Sequence, residues 1–383
     1  MRILGFMTGT SLDAVDMAIL ETDGEVITDF GPAGEEPLPD PLRTLLREAI
    51  RTALDHPRDA PDPAIFATAA RAVAEIHASA GTAFLASCGL DWPDLDLVGM
   101  HGQTVLHERP SGGRKGRTLQ LGDGAWLARA TGVPVAYDFR TADVAAGGEG
   151  APLAPVYHLA RAAASGLSAP LAVLNIGGVA NLTCWAGGDQ VTAFDTGPGN
   201  GLIDQVVVAR GAGRFDVDGR LAAAGVVSGS VLSRLMDHPW FSESAPKSLD
   251  RYDFSPAITD ALPLEDAVAT LTAFTAEAVV SGLRLVGAQP SGLIVTGGGR
   301  RNPVLMAALS ERLGCEVVTA ESVGWRGDAL EAEAFAFLAA RCLRGLPISW
   351  PGTTGAPAPM TGGRIARPDD PSLQPPSASR RSR

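Results

Sequence analysis

Positive charge is scarce in this chain. Only two lysines occur, Lys115 and Lys247, and 31 basic residues stand against 43 acidic ones in 383, a net charge of −12. A surface of that sign disfavours nucleic acid, whose phosphates need a basic patch, and gives no reason to expect a membrane partner. Cysteine is sparse too. Cys88, Cys184, Cys315 and Cys342 form no C-x-x-C pair, so neither a metal knuckle nor a disulfide framework is expected. No apolar run reaches the ~18 residues of a membrane span. No secretory leader is visible, because turn chemistry begins by residue 8, and the expected setting is cytoplasmic. A Walker A loop is missing as well.

What is present is an ordinary globular composition, 45% apolar and 19% charged, on a chain long enough for two domains. "RILGFM" and "VDMAIL" read as short strands flanking the turn "TGTSLDA". Helical spacing follows in "PLRTLLREAIRTALDH" and in the Ala-rich "PAIFATAARAVAEIHASAGTAFLASCGL". "LDLVGMHG" reads as a buried strand feeding a loop, then "RTLQLGD" as a strand, "GAWLARATG" as a helix and "VPVAYDFR" as a strand. Near residue 170 the pattern restarts: "PLAVLNIGGVANLTCWA" is again strand, glycine turn, strand. Strand "QVTAFD", helix "ATLTAFTAEAVVSGLRLV", strand "GLIVT" and helix "GDALEAEAFAFLAARCLRG" complete the second half. Strands alternating with helices predict an α/β protein, and the repeated hairpin predicts two related lobes around a cleft. The end, "RPDDPSLQPPSASRRSR", lacks apolar periodicity and reads as a disordered tail.

Three stretches carry chemistry. In the opening turn, Thr8, Gly9, Thr10 and Ser11 offer consecutive amides and hydroxyls suited to phosphate oxygens, and Asp13 and Asp16 could orient a magnesium-bound water. The second hairpin matches it with Asn175, Gly177, Gly178 and Asn181. "GGGRRNP", from Gly297, lets backbone approach a flat ligand, or serves only as a tight strand-to-helix turn; it is not G-x-G-x-x-G. "FDTGPGN" puts Asp195 at the end of an apolar strand, where a lone carboxylate can act as general base or can cap the next helix. Arg140 could read a carboxylate bidentately or form a structural ion pair. Ser244-x-x-Lys247 lacks the companion motifs of acyl enzymes, and "FDVDGRLAAAG" lacks the rest of a calcium loop and reads as a turn.

In order along the chain, "MTGTSLDAVD", "HGQTVLH", "DFRTADVAAGGEGAPLAP", "LNIGGVANLT", "FDTGPGN", "APKSLDRYDF", "TGGGRRNP" and "GDALEAEAFAFLA" resemble the motifs of 1,6-anhydro-N-acetylmuramic acid kinases, over about residues 3–363. The resemblance implies the two-lobed actin-like ATPase (ribonuclease H-like) fold, with duplicated mixed β-sheet domains and an interlobe cleft. The lobes are placed at 1–168 and 169–363, with a disordered tail at 364–383. It implies ATP and Mg2+ as cofactors and an amino-sugar substrate. The reaction adds water to 1,6-anhydro-N-acetylmuramate and phosphorylates its 6-oxygen, in bacterial cell-wall recycling. Asp195 is then the catalytic base. Gly9, Thr10, Ser11, Leu12, Asp13, Ala14, Val15 and Asp16 bind ATP phosphates with Asn175, Gly177 and Gly178. Gly297, Gly298, Gly299 and Asn302 complete the nucleotide site. Gln103, Thr104, Arg140 and Glu331 line the sugar side, with Arg140 on the lactyl carboxylate. No metal ligand is assigned, and a homodimer is implied. The common opening motif "MSGTSLDG" has glycine where this chain has Ala14, which would cost affinity if that position needs positive φ. Likewise "KSLDRY" replaces the commoner "KSTGRE". An ordinary sugar kinase, a nucleotide-gated binding protein and a two-carboxylate glycosidase are the competing readings.

Overall fold

The computed structural model describes residues 1–110, 113–249 and 253–370. Strands β1 (Arg2–Thr8), β2 (Ala14–Thr22) and β3 (Ile27–Pro37) form an antiparallel meander. Strands β4 (Leu97–Glu108) and β6 (Val135–Tyr137) add in parallel on the other side of β1, while β5 (Arg117–Leu121) folds back on the outer half of β4. The second sheet repeats this plan. Strands β7 (Leu171–Ile176), β8 (Val179–Gly187) and β9 (Gln190–Pro198) are an antiparallel meander, and β10 (Gly292–Thr296) and β11 (Glu316–Thr319) add in parallel beside β7. Each sheet therefore begins with a hairpin and runs third, second, first, fourth, followed by one more parallel strand, β6 in the first sheet (where β5 lies off this path) and β11 in the second. That shared order is the physical form of the duplication expected from the sequence.

Both faces of the first sheet are covered, so its central strands are apolar on both sides. On β1, Leu4 and Phe6 join the cluster under helices Asp40–Asp55 and Ala64–Ser87. Ile3 faces the opposite way, into a cluster with Leu97, Ala334 and Phe337. That second cover is helix Leu330–Leu343, which lies on β1, β2 and β4. Gly5 and Gly99 allow the approach: a Cβ would stand 1.9 Å from the Ala332 carbonyl oxygen at Gly5 and 2.2 Å from that of Phe335 at Gly99. The second sheet packs on helix Leu264–Leu285. By length and composition this helix could cross a membrane, but 78% of its most apolar 18-residue window is buried in the protein, and it serves as a core helix.

Four features differ from the sequence reading. The expected loop after "LDLVGMHG" is more strand: β4 continues through Gly102 at φ +74°, where a Cβ would meet the Leu121 carbonyl 2.7 Å away. β3 had no apolar signal because it is an edge strand, largely exposed and interrupted by Gly31, Pro32 and Gly34. Arg364–Ala366, expected to begin the tail, is strand β12 and pairs with β6 in the first sheet. Helix Leu330–Leu343, expected in the second lobe, covers the first. The altered residues of "KSLDRY", Asp250, Arg251 and Tyr252, and tail residues 371–383 lie outside the described residues.

Candidate active site

The two sheets face each other across a cleft of about 760 Å³. On the second sheet, one cross-strand row turns polar where the apolar strands end. Thr296 pairs with Asn175, Asn175 with Asn181, and Asn181 with Asp195. All four line the cleft. On the first sheet the matching row is Met7, Asp16 and Glu35.

The opening turn is anchored from below. Thr8 Oγ1 lies 3.1 Å from His77 Nε2, and His77 Nδ1 lies 2.7 Å from the Val73 carbonyl. Burial pulls His77 down to about 4, so the ring is neutral. Nδ1–H donates to the carbonyl and Nε2 accepts from the threonine. Leu12 plugs the turn into the core and takes its positive φ, +57°. Ala14 is paired with Pro37 in β2 and has ordinary strand backbone, so the expected penalty for lacking glycine there does not arise. Asp13 accepts from Ser11 Oγ (2.6 Å) and the Ala14 amide (2.9 Å). Gly9, Ser11, Asp13, Ala14 and Asp16 line the cleft. Thr10 is exposed at the tip, and Val15 points into the core.

The glycine loop after β10 divides its work. Gly297 adopts φ +72°, and a Cβ on Gly299 would meet Ile176 Cγ2 at 2.4 Å, so both serve close packing. Gly297 and Gly298 both line the cleft, and Gly299 does not. Asn302 caps helix Pro303–Arg312, its side-chain oxygen accepting from Val304 N and Leu305 N. The second hairpin's tip has a bracing place. The Gly177 and Gly178 carbonyls accept from Asn200 N, Gly199 N and Gly201 N, holding the loop after Asp195.

Asp195 is nearly buried. Leu249 N–H donates to its Oδ2 at 2.7 Å, and its own N–H donates to the Lys247 carbonyl at 2.9 Å. Burial pushes its carboxyl up to about 7; the Leu249 amide and Arg140 oppose this and Glu149 adds to it. Its side chain is not the cap of the following helix. Lys247 turns away, donating to the Trp240 carbonyl with its ammonium 4.4 Å from the indole centre. The Ser244-x-x-Lys247 spacing therefore holds no nucleophile–base pair.

Arg140 reaches the cleft from the loop after β6. Its Nε and Nη2 lie 3.2 and 3.1 Å from His101 Nε2, and its Nη1 donates to the Gly150 carbonyl at 2.8 Å. Burial lowers it to about 10, so it stays charged, and Glu331 and Asp195 lie within its field. Glu331 accepts from Asn175 Nδ2 at 3.4 Å, and burial raises its carboxyl. Gln103 is fully buried beside Thr8, donating to the Thr104 carbonyl, with Oε1 unpaired among the described residues. Thr104 Oγ1 accepts from Gln120 Nε2 at 3.4 Å. Asp216, from the would-be calcium loop, caps Leu221 N and Ala222 N, as a turn should.

Sequence reasoning missed Leu249, Glu149, Glu35 and Asp328. A backbone amide carries no sequence signature. Glu35 was hidden in the unrecognised β3, and Glu149 in a glycine loop.

Duplicated sheets of this order, with polar side chains from each on a shared cleft, define a two-lobed α/β protein with an interlobe site. A family model described as anhydro-N-acetylmuramic acid kinase matches residues 1–368. The anhydro-N-acetylmuramic acid kinase of Phenylobacterium zucineum is 64% identical over 369 residues, covering 96% of this chain and 100% of that one. That of Caulobacter vibrioides is 62% identical over 365 residues, covering 95% and 98%. Among solved structures, the chain is similar to a ROK family glucokinase from Streptomyces griseus in complex with glucose and AMPPNP, at 14% identity and a TM-score of 0.41, over 89% of this chain and 100% of that one. The chain belongs to the anhydro-N-acetylmuramic acid kinase family.

Proposed function

We propose that this chain converts 1,6-anhydro-N-acetylmuramate, ATP and water into N-acetylmuramate 6-phosphate and ADP, with Asp195 as the base, in recycling of cell-wall sugar. The observation that carries the base assignment is Asp195 itself: a nearly buried carboxylate at the cleft, one oxygen held by Leu249 N–H and the carboxyl raised to about 7. A base poised near neutrality suits removal of a proton from water.

The water oxygen bonds to the anomeric carbon as its proton passes to Asp195. The bond from that carbon to the 6-oxygen breaks, its electron pair going to oxygen. That oxygen bonds to the γ-phosphorus, and ADP leaves. The protein's part is mostly positioning and charge. Gly9, Ser11 and the turn amides face the phosphates, and Gly298 faces the nucleoside. Arg140, cationic and open to the cleft, takes the lactyl carboxylate, with Glu331 on the sugar side; Gln103, fully buried, and Thr104 lie behind the cleft wall rather than on it, so they are not assigned a contact with the sugar.

The cleft's carboxylates fit a magnesium ion. Asp16 is pushed up to about 7 by burial and by Glu331, Asp13, Glu35 and Asp328 around it, a crowding of like charge that a cation relieves. Among the described residues no cluster of three His, Cys, Asp or Glu is preset as a metal cage. Mg2+ needs only one or two carboxylates plus phosphates and water. Bound there, it would neutralise phosphate charge. A cytoplasmic setting suits a consumer of ATP. The implied homodimer would cover exposed Val208, Phe215, Val217, Val226 and Val227, which fall in one stretch of the second lobe.

The test is product analysis with ATP, Mg2+ and the anhydro sugar in oxygen-18 water. The expected product carries one phosphate and one labelled anomeric oxygen, and Asp195→Asn loses it while still binding ATP. An unchanged anhydro sugar, alongside phosphorylation of ring-opened sugars, would make the chain an ordinary sugar kinase.

A further inference from the structure

Glu149 is a partly buried carboxylate that the chemistry above leaves unused. Its loop, 147–150, is tied to the first lobe and also, through the Glu149 N–H donating to the Thr354 carbonyl (2.6 Å), to helix Pro351–Thr354, which packs on β9 of the second sheet. Gly148 N donates to the Asp143 carbonyl (3.0 Å) and Gly150 N to Asp143 Oδ1 (2.7 Å). Arg140 holds the Gly150 carbonyl. A side chain on Gly148 would collide with Asp143, 2.2 Å from its Oδ1. From this fixed loop Glu149 reaches across to the second lobe, where Ser248 Oγ donates to its Oε2 at 2.6 Å.

Ser248 is flanked by the two residues that hold Asp195. The Lys247 carbonyl accepts from Asp195 N, and Leu249 N–H donates to Asp195 Oδ2. Ser248 is 2% exposed, so water competes little for its hydroxyl. A hydrogen bond to a carboxylate in such a place is of the stronger kind. We propose that Glu149 is a positioning residue for the base: from the opposite lobe it holds the 247–249 segment whose backbone fixes the Asp195 carboxylate. The arrangement makes alignment of the base depend on contact between the lobes. This rests on the reading of Asp195 as base.

Charge gives the role a signature. Among the described residues, the groups that act on Asp195 are Glu149, Arg140 and the Leu249 amide. Those that act on Glu149 are Ser248, Arg109 and Glu243. A negative Glu149 makes Asp195 harder to ionise. Removing that charge lets Asp195 ionise at lower pH.

The experiment compares wild type, Glu149→Gln, Glu149→Ala, Ser248→Ala and Asp195→Asn, using ATP, Mg2+ and the anhydro sugar. Glu149→Gln keeps an acceptor for Ser248 without the charge. It should hold kcat within about threefold while the acid limb of kcat/KM moves to lower pH. Glu149→Ala and Ser248→Ala should each lose tenfold or more in kcat with KM for ATP unchanged. Glutamine rescuing alanine separates positioning from mere folding. If the acid limb stays put in Glu149→Gln and Ser248→Ala keeps wild-type kcat, the positioning role is wrong, while loss of product in Asp195→Asn keeps the base assignment. Full activity in Asp195→Asn overturns both.

Discussion

At the scale of the residue, Asp195 shows how burial sets both chemistry and cost. Loss of hydration is the first cause of its raised carboxyl, and one amide donor does not compensate. Only the ionised form takes a proton from water, so kcat/KM should rise with pH through about 7 and level above it; a profile flat from pH 5 to 8 would remove Asp195 as the base. The same shift has a stability consequence. The folded state holds this proton more tightly than the unfolded chain, whose carboxyl titrates near 3.8. Its stabilising contribution is therefore full below about 4 and is lost as pH rises through about 7. Asp195→Asn should then be more stable than wild type at pH 8, on the order of 2–4 kcal/mol for a shift of about three units. The gain should fade towards pH 4, as thermal melts at both pH values would show. Asp195 was legible in sequence because an acid closing an apolar strand before a Gly/Pro loop is conspicuous. Leu249, 54 residues away, was not, since only the fold brings its amide to the carboxylate.

At the scale of the element, the informative residues are glycines inside strands. Gly costs a strand entropy and packing, and Gly5 and Gly99 offset that by letting helix Leu330–Leu343 lie against the sheet. A methyl at Gly99 would have to displace the helix backbone. Gly99→Ala should destabilise by about 3 kcal/mol, the upper part of the overpacking range, seen as a lower urea midpoint. A midpoint equal to wild type would mean the helix shifts freely. The cap at Asn302 is a simpler case. Asn302→Ala removes two hydrogen bonds to helix amides and should cost about 1 kcal/mol. The hairpins β1–β2 and β7–β8 were readable because apolar runs flank a turn. β3 and β12 were not, because edge pairing is supplied by a neighbour rather than by their own pattern.

At the scale of the whole molecule, the chain does not divide at one point. After building the second sheet it returns, and helix Leu330–Leu343 with β12 completes the first. Glu331, in the first turn of that helix, reaches the cleft because of this return. A fragment of residues 1–168 should therefore fail to fold cooperatively: Ile3, Leu20 and Leu97 would lose the helix that buries them. Circular dichroism melts and dye binding would show a broad transition and exposed apolar surface. A sharp two-state melt of that fragment would contradict this account.

The sequence by itself determined the α/β class, the duplication and the two polar turns, because strand and helix periodicity and turn chemistry are local properties. It also made Asp195 stand out. Only the tertiary structure decided which glycines pack and which face the cleft, where the positive φ of the opening turn falls, and what holds the Asp195 carboxylate. Those outcomes depend on groups far apart in the chain meeting in space, and nothing in the local pattern of either partner encodes the meeting.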